Sequence, residues 1–346
     1  MTLRCEGNGI KEVTPQHDLP DRSGQSQHAR RHRWDYLSPV TSNRLSGTRM
    51  RWRCLSRGEK LRVGGCAVYI VILLVLFAQS LTRLMLYAAG SDLYSYILLV
   101  PFISGYLLYM NRSRSSAAYR TSIAGTITMA AIAISAMVAE ILWKRDLSVN
   151  DGFSLMALAF VSFVAVGGFL FFGSKWMATM AFPATFLLFA VPLPDASTKW
   201  LEEALAVVSA QAAAWFFSVS GTPLLHEGTL LRLPGIVLRV AQECSGIHST
   251  WVLFMTTLLA SQLFLKTRWR RIVLVAFVIP LGIMRNGFRI LVIGLLCVHV
   301  GPQMIDSSFH RRGGPLFFAL SLVPLLLLLL WLRRQEMRLK LRVEVT

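Results

Sequence analysis

The sequence predicts an all-α polytopic membrane protein with eight transmembrane helices, an amphipathic helix on the outer face and a small β-hairpin. Three observations lead to this fold class. Of the 346 residues, 54% are hydrophobic and only 16% are charged, a balance that soluble proteins do not show. Apolar runs follow one another from Val63 onward, each close to the roughly 20 residues that a helix needs to cross a bilayer. Basic clusters separate several of these runs.

We predict one transmembrane helix in each of eight apolar runs. They are residues 63–81, 93–110, 121–143, 153–172, 176–192, 246–265, 272–298 and 314–332. The runs divide the chain into a polar, Arg-rich tail at 1–62, a transmembrane domain at 63–332 and a basic C-terminal segment at 333–346. The tail lacks sustained periodicity, so we expect it to be disordered. Met50 is an alternative start that would leave residues 1–49 untranslated.

The basic clusters set the orientation, because Lys and Arg near the ends of a span are retained in the cytoplasm. With eight crossings the clusters all fall on one side, including those at 49–62, 266–271 and 333–342. We therefore expect a multi-pass protein of the cell (inner) membrane with both termini in the cytoplasm and the active site at the extracytoplasmic face. The whole net charge of +18 lies on the cytoplasmic side, so it indicates orientation and contact with anionic lipids, not a nucleic-acid surface.

Two segments between the fifth and sixth runs are predicted outside the membrane. Residues 199–219 are long enough to cross, but they begin with a lysine and two glutamates, and a crossing there would put the 266–271 cluster outside. We expect an amphipathic helix that lies on the outer face, or dips into the membrane and returns. Residues 222–240 are short apolar stretches separated by glycine and proline, which is typical of a β-hairpin.

Cys244 is the first candidate for chemistry. It lies in the segment Ala-Gln-Glu-Cys-Ser-Gly-Ile at 241–247, between the predicted hairpin and the sixth span. Buried cysteines are most often inert, but the unpaired N–H groups and the dipole at a helix N-terminus favour a thiolate. The neighbouring Glu243 and Ser245 are candidates for supporting roles. The sequence therefore offers a thiol nucleophile at the outer end of a span.

Two arginines lie in the seventh predicted span, where ionisable side chains are costly and are candidates for function. Arg285 and Arg289 are four residues apart, so a helix places them on one face, and Asn286 adds a further polar group. The alternative is structural, with either arginine extending to the membrane surface or pairing with Glu140 or Glu243.

Two histidines are candidates for a general base. His310 precedes the eighth span, so the predicted topology returns it to the face that carries Cys244. His248 lies four residues after Cys244 and can face it along a helix, and the sequence leaves open which histidine is the base. A thiolate can attack a peptide carbonyl, an imidazole can move the proton, and a guanidinium can stabilise the oxyanion. This chemistry leads us to expect neither a metal nor a cofactor.

The chain resembles the exosortase and archaeosortase family of multi-spanning cysteine transpeptidases over nearly all of its predicted spans. Three motifs carry the resemblance: Ala-Gln-Glu-Cys-Ser-Gly-Ile at 241–247, Asn-Gly-Phe-Arg-Ile at 286–290 and His-Arg-Arg-Gly-Gly at 310–314. The resemblance implies that the catalytic residues are Cys244 as nucleophile, Arg289 and His310. Arg285 does not match the family's arginine position, so a supporting role is implied for it.

The resemblance also implies the substrates. They are exported proteins with a C-terminal sorting tail, which consists of a short Pro-containing motif, one transmembrane helix and a basic end. The enzyme would cut before the helix, hold the protein as a thioester and transfer it to an acceptor. Some relatives are linked to polysaccharide export, which makes the exopolysaccharide machinery a candidate partner.

A different class of protein also places arginines in the membrane. A transporter or polysaccharide-export membrane protein would use Arg285 and Arg289 to bind an anionic substrate. The predicted spans have no internal repeat and no charges spread over several helices, so the sequence favours the enzyme.

Overall fold

The computed structural model describes residues 57–91, 93–111, 120–234, 236–240, 246–301, 303 and 314–345. These residues are mainly helical and include one small sheet. The chain divides into two compact units, Met1–Val71 and Ile72–Thr346. The contacts that position the candidate site all lie within the second unit.

The described helices are numbered in chain order. They are α1 Arg57–Leu76, α2 Ala78–Ala89, α3 Val100–Asn111, α4 Ile123–Leu142, α5 Val149–Phe171, α6 Ser174–Thr179, α7 Ala181–Phe186, α8 Asp195–Val219, α9 Ile247–Phe264, α10 Arg268–Ala276, α11 Val278–His299 and α12 Gly314–Val345. Short 3₁₀ helices cover Ser95–Leu98 and Leu187–Ala190.

Five helical segments in the described part of the chain are long and apolar enough to cross a membrane. They are α4, α5, α9, α10 together with α11, and α12 as far as Leu339. The pair α1 and α2, bent by 67° at its junction, adds a sixth if it forms one span. Two more predicted spans contain the shorter apolar helices Ser95–Asn111 and Ala181–Ala190. The polytopic helical fold is confirmed, with five or six spans of sufficient length against eight predicted.

Two prolines determine where helices end within the predicted spans. Proline lacks an N–H, and its ring clashes with the carbonyl four residues earlier. α6 ends at Thr179, four residues before Pro183, and α10 ends at Ala276, four residues before Pro280. The predicted span at 176–192 is therefore split into α6, α7 and a 3₁₀ turn, whereas α10 and α11 remain one segment of 32 residues.

The predicted amphipathic helix is confirmed as a helix, α8, which begins at Asp195, four residues before the predicted start. One face of α8 is buried and consists mainly of small residues: Ala206, Ala210, Ala213 and Phe217, each at most 3% exposed. This face packs on α11, where a Cβ added to Gly287 would lie 2.8 Å from the Cβ of Ala212. Small residues allow helix backbones to approach closely. α8 is therefore packed along α11 by a face of small side chains, which the sequence did not indicate.

A polar cluster holds the start of α8 against the start of α5. The side-chain amide of Asn150 donates to the carbonyl of Leu193 at 2.7 Å and to Asp195 Oδ1 at 2.8 Å. The backbone N–H of Asp195 donates to Asp151 Oδ1 at 2.8 Å. These bonds satisfy polar groups at a helix start, where the first N–H groups have no partner within the helix.

The predicted hairpin is a three-stranded antiparallel sheet. Its strands, in the order β1-β2-β3, are Leu225–Glu227, Leu230–Leu233 and Ile236–Arg239. The central strand contributes the buried Leu231 and Leu233 to the cluster that contains Phe217 of α8. The extra strand is β1, whose three residues are all exposed, so it has no apolar pattern that the sequence could reveal.

The C-terminal helix continues past residue 332, the predicted end of the eighth span, and reaches the start of α10. Both Glu336 side-chain oxygens accept the backbone N–H of Lys266, at 3.1 and 3.2 Å. Glu336 Oε1 also accepts the N–H of Thr267 at 2.7 Å and the Thr267 hydroxyl, and Arg270 lies 3.8 Å away. A carboxylate from another helix thus caps the start of α10, where negative charge is favoured.

Candidate functional site

The site lies where the first turn of α9 meets the first half of α11. Arg285 and Asn286 lie three and four residues after Gly282 on α11, so both share with Gly282 the face turned to α9. A Cβ added to Gly282 would lie 3.0 Å from Thr250 Cγ2 of α9. The absence of a side chain at Gly282 therefore lets the two helices approach at this level.

Arg285 connects the two helices through one nitrogen. Its Nη2 donates to the hydroxyl of Thr250 at 3.0 Å and to the carbonyl oxygen of Gly246 at 3.3 Å. The side chain is buried, with 7% of the residue exposed. The second nitrogen, Nη1, is also buried and has no hydrogen-bond partner among the described residues. A charged group thus lies inside the bundle with the donors of Nη1 unpaired among the described residues.

Gly246 can only be glycine at this position, for two independent reasons. It precedes α9 with φ +71°, in the left-handed region that other residues rarely adopt. A Cβ would also lie 2.9 Å from Asn286 Oδ1 and 3.4 Å from Arg285 Nη2. The carbonyl of Gly246 accepts the N–H of Thr250 at 3.0 Å and the hydroxyl of Ser249 at 3.1 Å, besides Arg285. The start of α9 is therefore held closely by α11.

Arg289 lies one turn beyond Arg285 on α11 and is partly exposed. Its positive charge is close enough to act on the charge of Arg285. Arg285 and Arg289 therefore lie on one face of α11, as their spacing of four predicted, and this face carries two guanidinium groups. Such a face attracts a thiolate, a carboxylate or a developing oxyanion.

Three predicted site residues are within the described chain, and four lie outside it. Arg285 and Asn286 contact the start of α9, whereas Arg289 extends the same face. His248, the second candidate base, is half-buried in the first turn of α9. Outside the described residues lie Cys244, Glu243, Ser245 and His310.

The described residues on either side of Cys244 are close to the arginine-bearing turn of α11. Val240 is buried in the same cluster as Ile290 and Leu291, the two residues that follow Arg289. Gly246 contacts Arg285 and Asn286. The described residues on both sides of the segment 241–245 thus lie beside residues 285–291.

The segment after His310 also meets α11 near Arg289. Phe317 of α12 is 5% exposed, and its ring centroid lies 6.2 Å from that of Phe288 in an edge-on arrangement. Phe288 contacts Phe216 of α8 in the same way, at 5.9 Å. Edge-to-face rings of this kind fix side-chain positions. The turn that contains Arg289 is therefore held between α8, α9 and α12.

Sequence reasoning missed Thr250 and Gly282. Thr250 is four residues after Gly246, so it follows on the same side of the helix, and Gly282 is three residues before Arg285. Their types alone gave no signal, because threonine and glycine are common in membrane helices. In the described part of the chain, no group of three or more His, Cys, Asp or Glu residues is arranged to hold a metal ion.

Comparison with known proteins identifies the family. The family model described as "Transmembrane exosortase (Exosortase_EpsH)" matches residues 81–328. Neither the curated proteins nor the solved structures gave a match. The matched region is well over half of the chain, and it includes the three motif segments around Cys244, Arg289 and His310. The chain therefore belongs to the transmembrane exosortase family.

Proposed function

We propose that this protein is a membrane-embedded cysteine transpeptidase that removes the C-terminal sorting tails of exported proteins. Membership of the exosortase family supports a sorting role at the membrane. The proposed catalytic residues are Cys244, Arg289 and His310, with Glu243, Ser245, Arg285 and Asn286 in supporting positions. The substrates carry a Pro-containing motif, a transmembrane helix and a basic end.

One contact supports this assignment above all others. Gly246, in the motif that contains Cys244, lies against Asn286, in the motif that contains Arg289. The two segments are 40 residues apart in sequence, so only the fold brings them together. A thiol and a guanidinium at neighbouring positions suit acyl transfer, because one attacks the carbonyl and the other stabilises the oxyanion.

The proposed reaction has two stages. His310 accepts the proton of the Cys244 thiol, and the thiolate attacks the carbonyl carbon of the scissile peptide bond. As the C–S bond forms, the carbonyl oxygen becomes an oxyanion that Arg289 stabilises. The C–N bond then breaks, and His310 gives the proton to the leaving amine of the membrane-anchored tail. An acceptor amine or hydroxyl, or water, next attacks the thioester and restores the thiol.

The proposed topology has eight crossings, with the basic tail at 1–62 and the segment at 333–346 in the cytoplasm. α8 and the sheet then lie on the outer side, where exported substrates arrive. The basic clusters at the cytoplasmic ends contact anionic lipids. The exopolysaccharide machinery is a proposed partner, since secreted polymer and sorted protein would meet at this face.

The test is cleavage of a tailed exported protein from the source genome, produced together with the chain and followed by the mass of its C-terminus. Cys244→Ala, Arg289→Ala and His310→Ala should each leave the tail attached while the variant remains in the membrane. Cys297→Ala, which removes a buried thiol of α11, is the matched control and should cleave normally. His248→Ala should also cleave the tail normally. If His248→Ala instead loses cleavage while His310→Ala still cleaves, His248 and not His310 is the base. Continued processing by Cys244→Ala would contradict the proposed nucleophile.

A further inference from the structure

Arg285 is held in a way that a purely structural role does not explain. Burying a guanidinium costs free energy unless its donors are paired, and a buried unpaired donor costs more. Arg285 has both features, because the residue is 7% exposed and its Nη1 has no hydrogen-bond partner in the described part of the chain. The like charge of Arg289 adds repulsion.

In the described part of the chain, both hydrogen bonds of Arg285 reach the start of α9. Nη2 donates to the Gly246 carbonyl at 3.3 Å and to the Thr250 hydroxyl at 3.0 Å. These two acceptors do not depend on Arg285 to be satisfied. The Gly246 carbonyl also accepts from Thr250 N and Ser249 Oγ, and a threonine hydroxyl in a helix can bond the carbonyl four residues earlier.

A neutral residue of similar length would therefore leave no buried polar group unpaired at this position among the residues that the structure describes. Methionine at position 285 would remove the buried charge, the unpaired Nη1 and the repulsion by Arg289. Replacing a buried charge by an apolar side chain of similar volume is often neutral or stabilising. What methionine cannot do is hold the Gly246 carbonyl in a fixed direction from α11.

We propose that Arg285 is a positioning residue kept for function at the expense of stability: through Nη2 it fixes the Gly246 carbonyl and the Thr250 hydroxyl, and so the turn that enters α9. This inference rests on the proposed function, because that turn directly follows Cys244. Arg285 acts through Gly246, whereas Arg289 is the arginine proposed to contact the reacting carbonyl. A displacement of about 1 Å at a reacting group can lower the rate about 100-fold, so a loosened turn has a large effect.

Three variants of the full chain in detergent test the proposal: Arg285→Met, Arg285→Lys and Thr250→Val. Thr256→Val is the matched control, because Thr256 is exposed on the same helix and, among the described residues, its hydroxyl bonds only its own helix, at Val252. Amide hydrogen exchange of the peptide that covers Gly246 to Thr250 reports the turn and needs no substrate. Thermal unfolding reports stability, and cleavage of a fluorescent protein carrying a genomic sorting tail reports kcat and KM.

We expect Arg285→Met to exchange faster at Gly246 to Thr250 while its melting temperature stays equal or rises. Its kcat should fall about 100-fold with KM within about twofold, because the reacting geometry changes and tail binding does not. Arg285→Lys should recover part of the protection and of kcat. Thr250→Val should also exchange faster at Gly246 to Thr250 and have a lower kcat, but both changes should be smaller than in Arg285→Met. Thr256→Val should match the parent chain in exchange and in kcat.

Unchanged exchange at Gly246 to Thr250 in Arg285→Met would overturn the proposal, and so would a clear fall in its melting temperature, which indicates a structural residue. Failure of Arg285→Met to fold would likewise overturn the claim that Arg285 is kept at the expense of stability. Whether Arg285 positions the turn is then decided by Thr250→Val, where unchanged exchange at Gly246 to Thr250 would overturn that claim too. Failure of the parent chain to cleave any tailed reporter would contradict the proposed function instead, and the exchange result would still stand. The two failures are therefore distinguishable.

Discussion

Gly246 and Asn286 are so close that no side chain fits between them: a Cβ on Gly246 would lie 2.9 Å from Asn286 Oδ1. This contact joins the start of α9 to α11, and it joins two of the three motifs of the proposed active site. The turn also has φ +71° at Gly246. Two features therefore restrict the geometry of this turn: the left-handed backbone of Gly246 and the close contact with Asn286.

Gly246→Ala should damage both stability and cleavage. The left-handed conformation costs an L-residue about 1–2 kcal/mol, and the clash with Asn286 adds about 1–3 kcal/mol. Thermal unfolding and the tail-cleavage assay measure the two effects. Gly228→Ala is the control, because Gly228 has φ +63° but nothing within 4 Å of an added Cβ. Equal destabilisation by both variants would show that Asn286 does not restrict the turn.

Glu336→Gln should destabilise the end of the bundle where α12 meets the start of α10. The carboxylate accepts backbone N–H groups of Lys266 and Thr267 with little exposure to solvent, so the loss should be about 1–3 kcal/mol. Glu227→Gln breaks an ion pair with Arg232 whose side chains are about half exposed, and should cost less than about 1 kcal/mol. Unfolding in denaturant compares the two. An effect of Glu336→Gln no larger than that of Glu227→Gln would contradict its role as the cap of α10.

The sheet and the C-terminal end of α12 should lie on opposite sides of the membrane. In a chain whose five cysteines are replaced by alanine, Gly228→Cys should react with a membrane-impermeant maleimide in intact cells. Arg338→Cys should react only after the membrane is permeabilised. Both positions are exposed, so access to the reagent depends on the side of the membrane. Labelling of Arg338→Cys in intact cells would contradict the proposed topology.

Much of the fold follows from the sequence, because apolar length and basic clusters are strong signals in a membrane protein. The structure departs from those predictions at particular residues. Pro183 and Pro280 each end a helix four residues upstream. The mean hydropathy of a span does not reveal such a local effect. β1 is too short and too polar to show a strand pattern. The buried face of α8 was hidden because alanine is compatible with either a packed or an exposed helix surface.

Residue type and helical spacing predicted that Arg285 and Arg289 share one face of a helix, with Asn286 as a further polar group on the same stretch. The relative importance of the two arginines was harder to predict. The motif favoured Arg289, and only the fold reveals that Arg285 is the more buried and reaches Gly246. Contacts between α9 and α11 depend on helix packing over 30 to 40 residues of sequence, which no local pattern encodes.

The most direct test of the central claim is to look for the thioester itself. The detergent-solubilised chain is mixed with a tailed substrate, quenched in acid and digested, and the peptide that contains Cys244 is measured by mass spectrometry. We expect a mass increase equal to the substrate's new C-terminal fragment less one water, located on Cys244 and released by hydroxylamine. Efficient cleavage with Cys244 unmodified under these conditions, or equal cleavage by Cys244→Ala, would contradict the proposal that this exosortase acts through a thiol at Cys244.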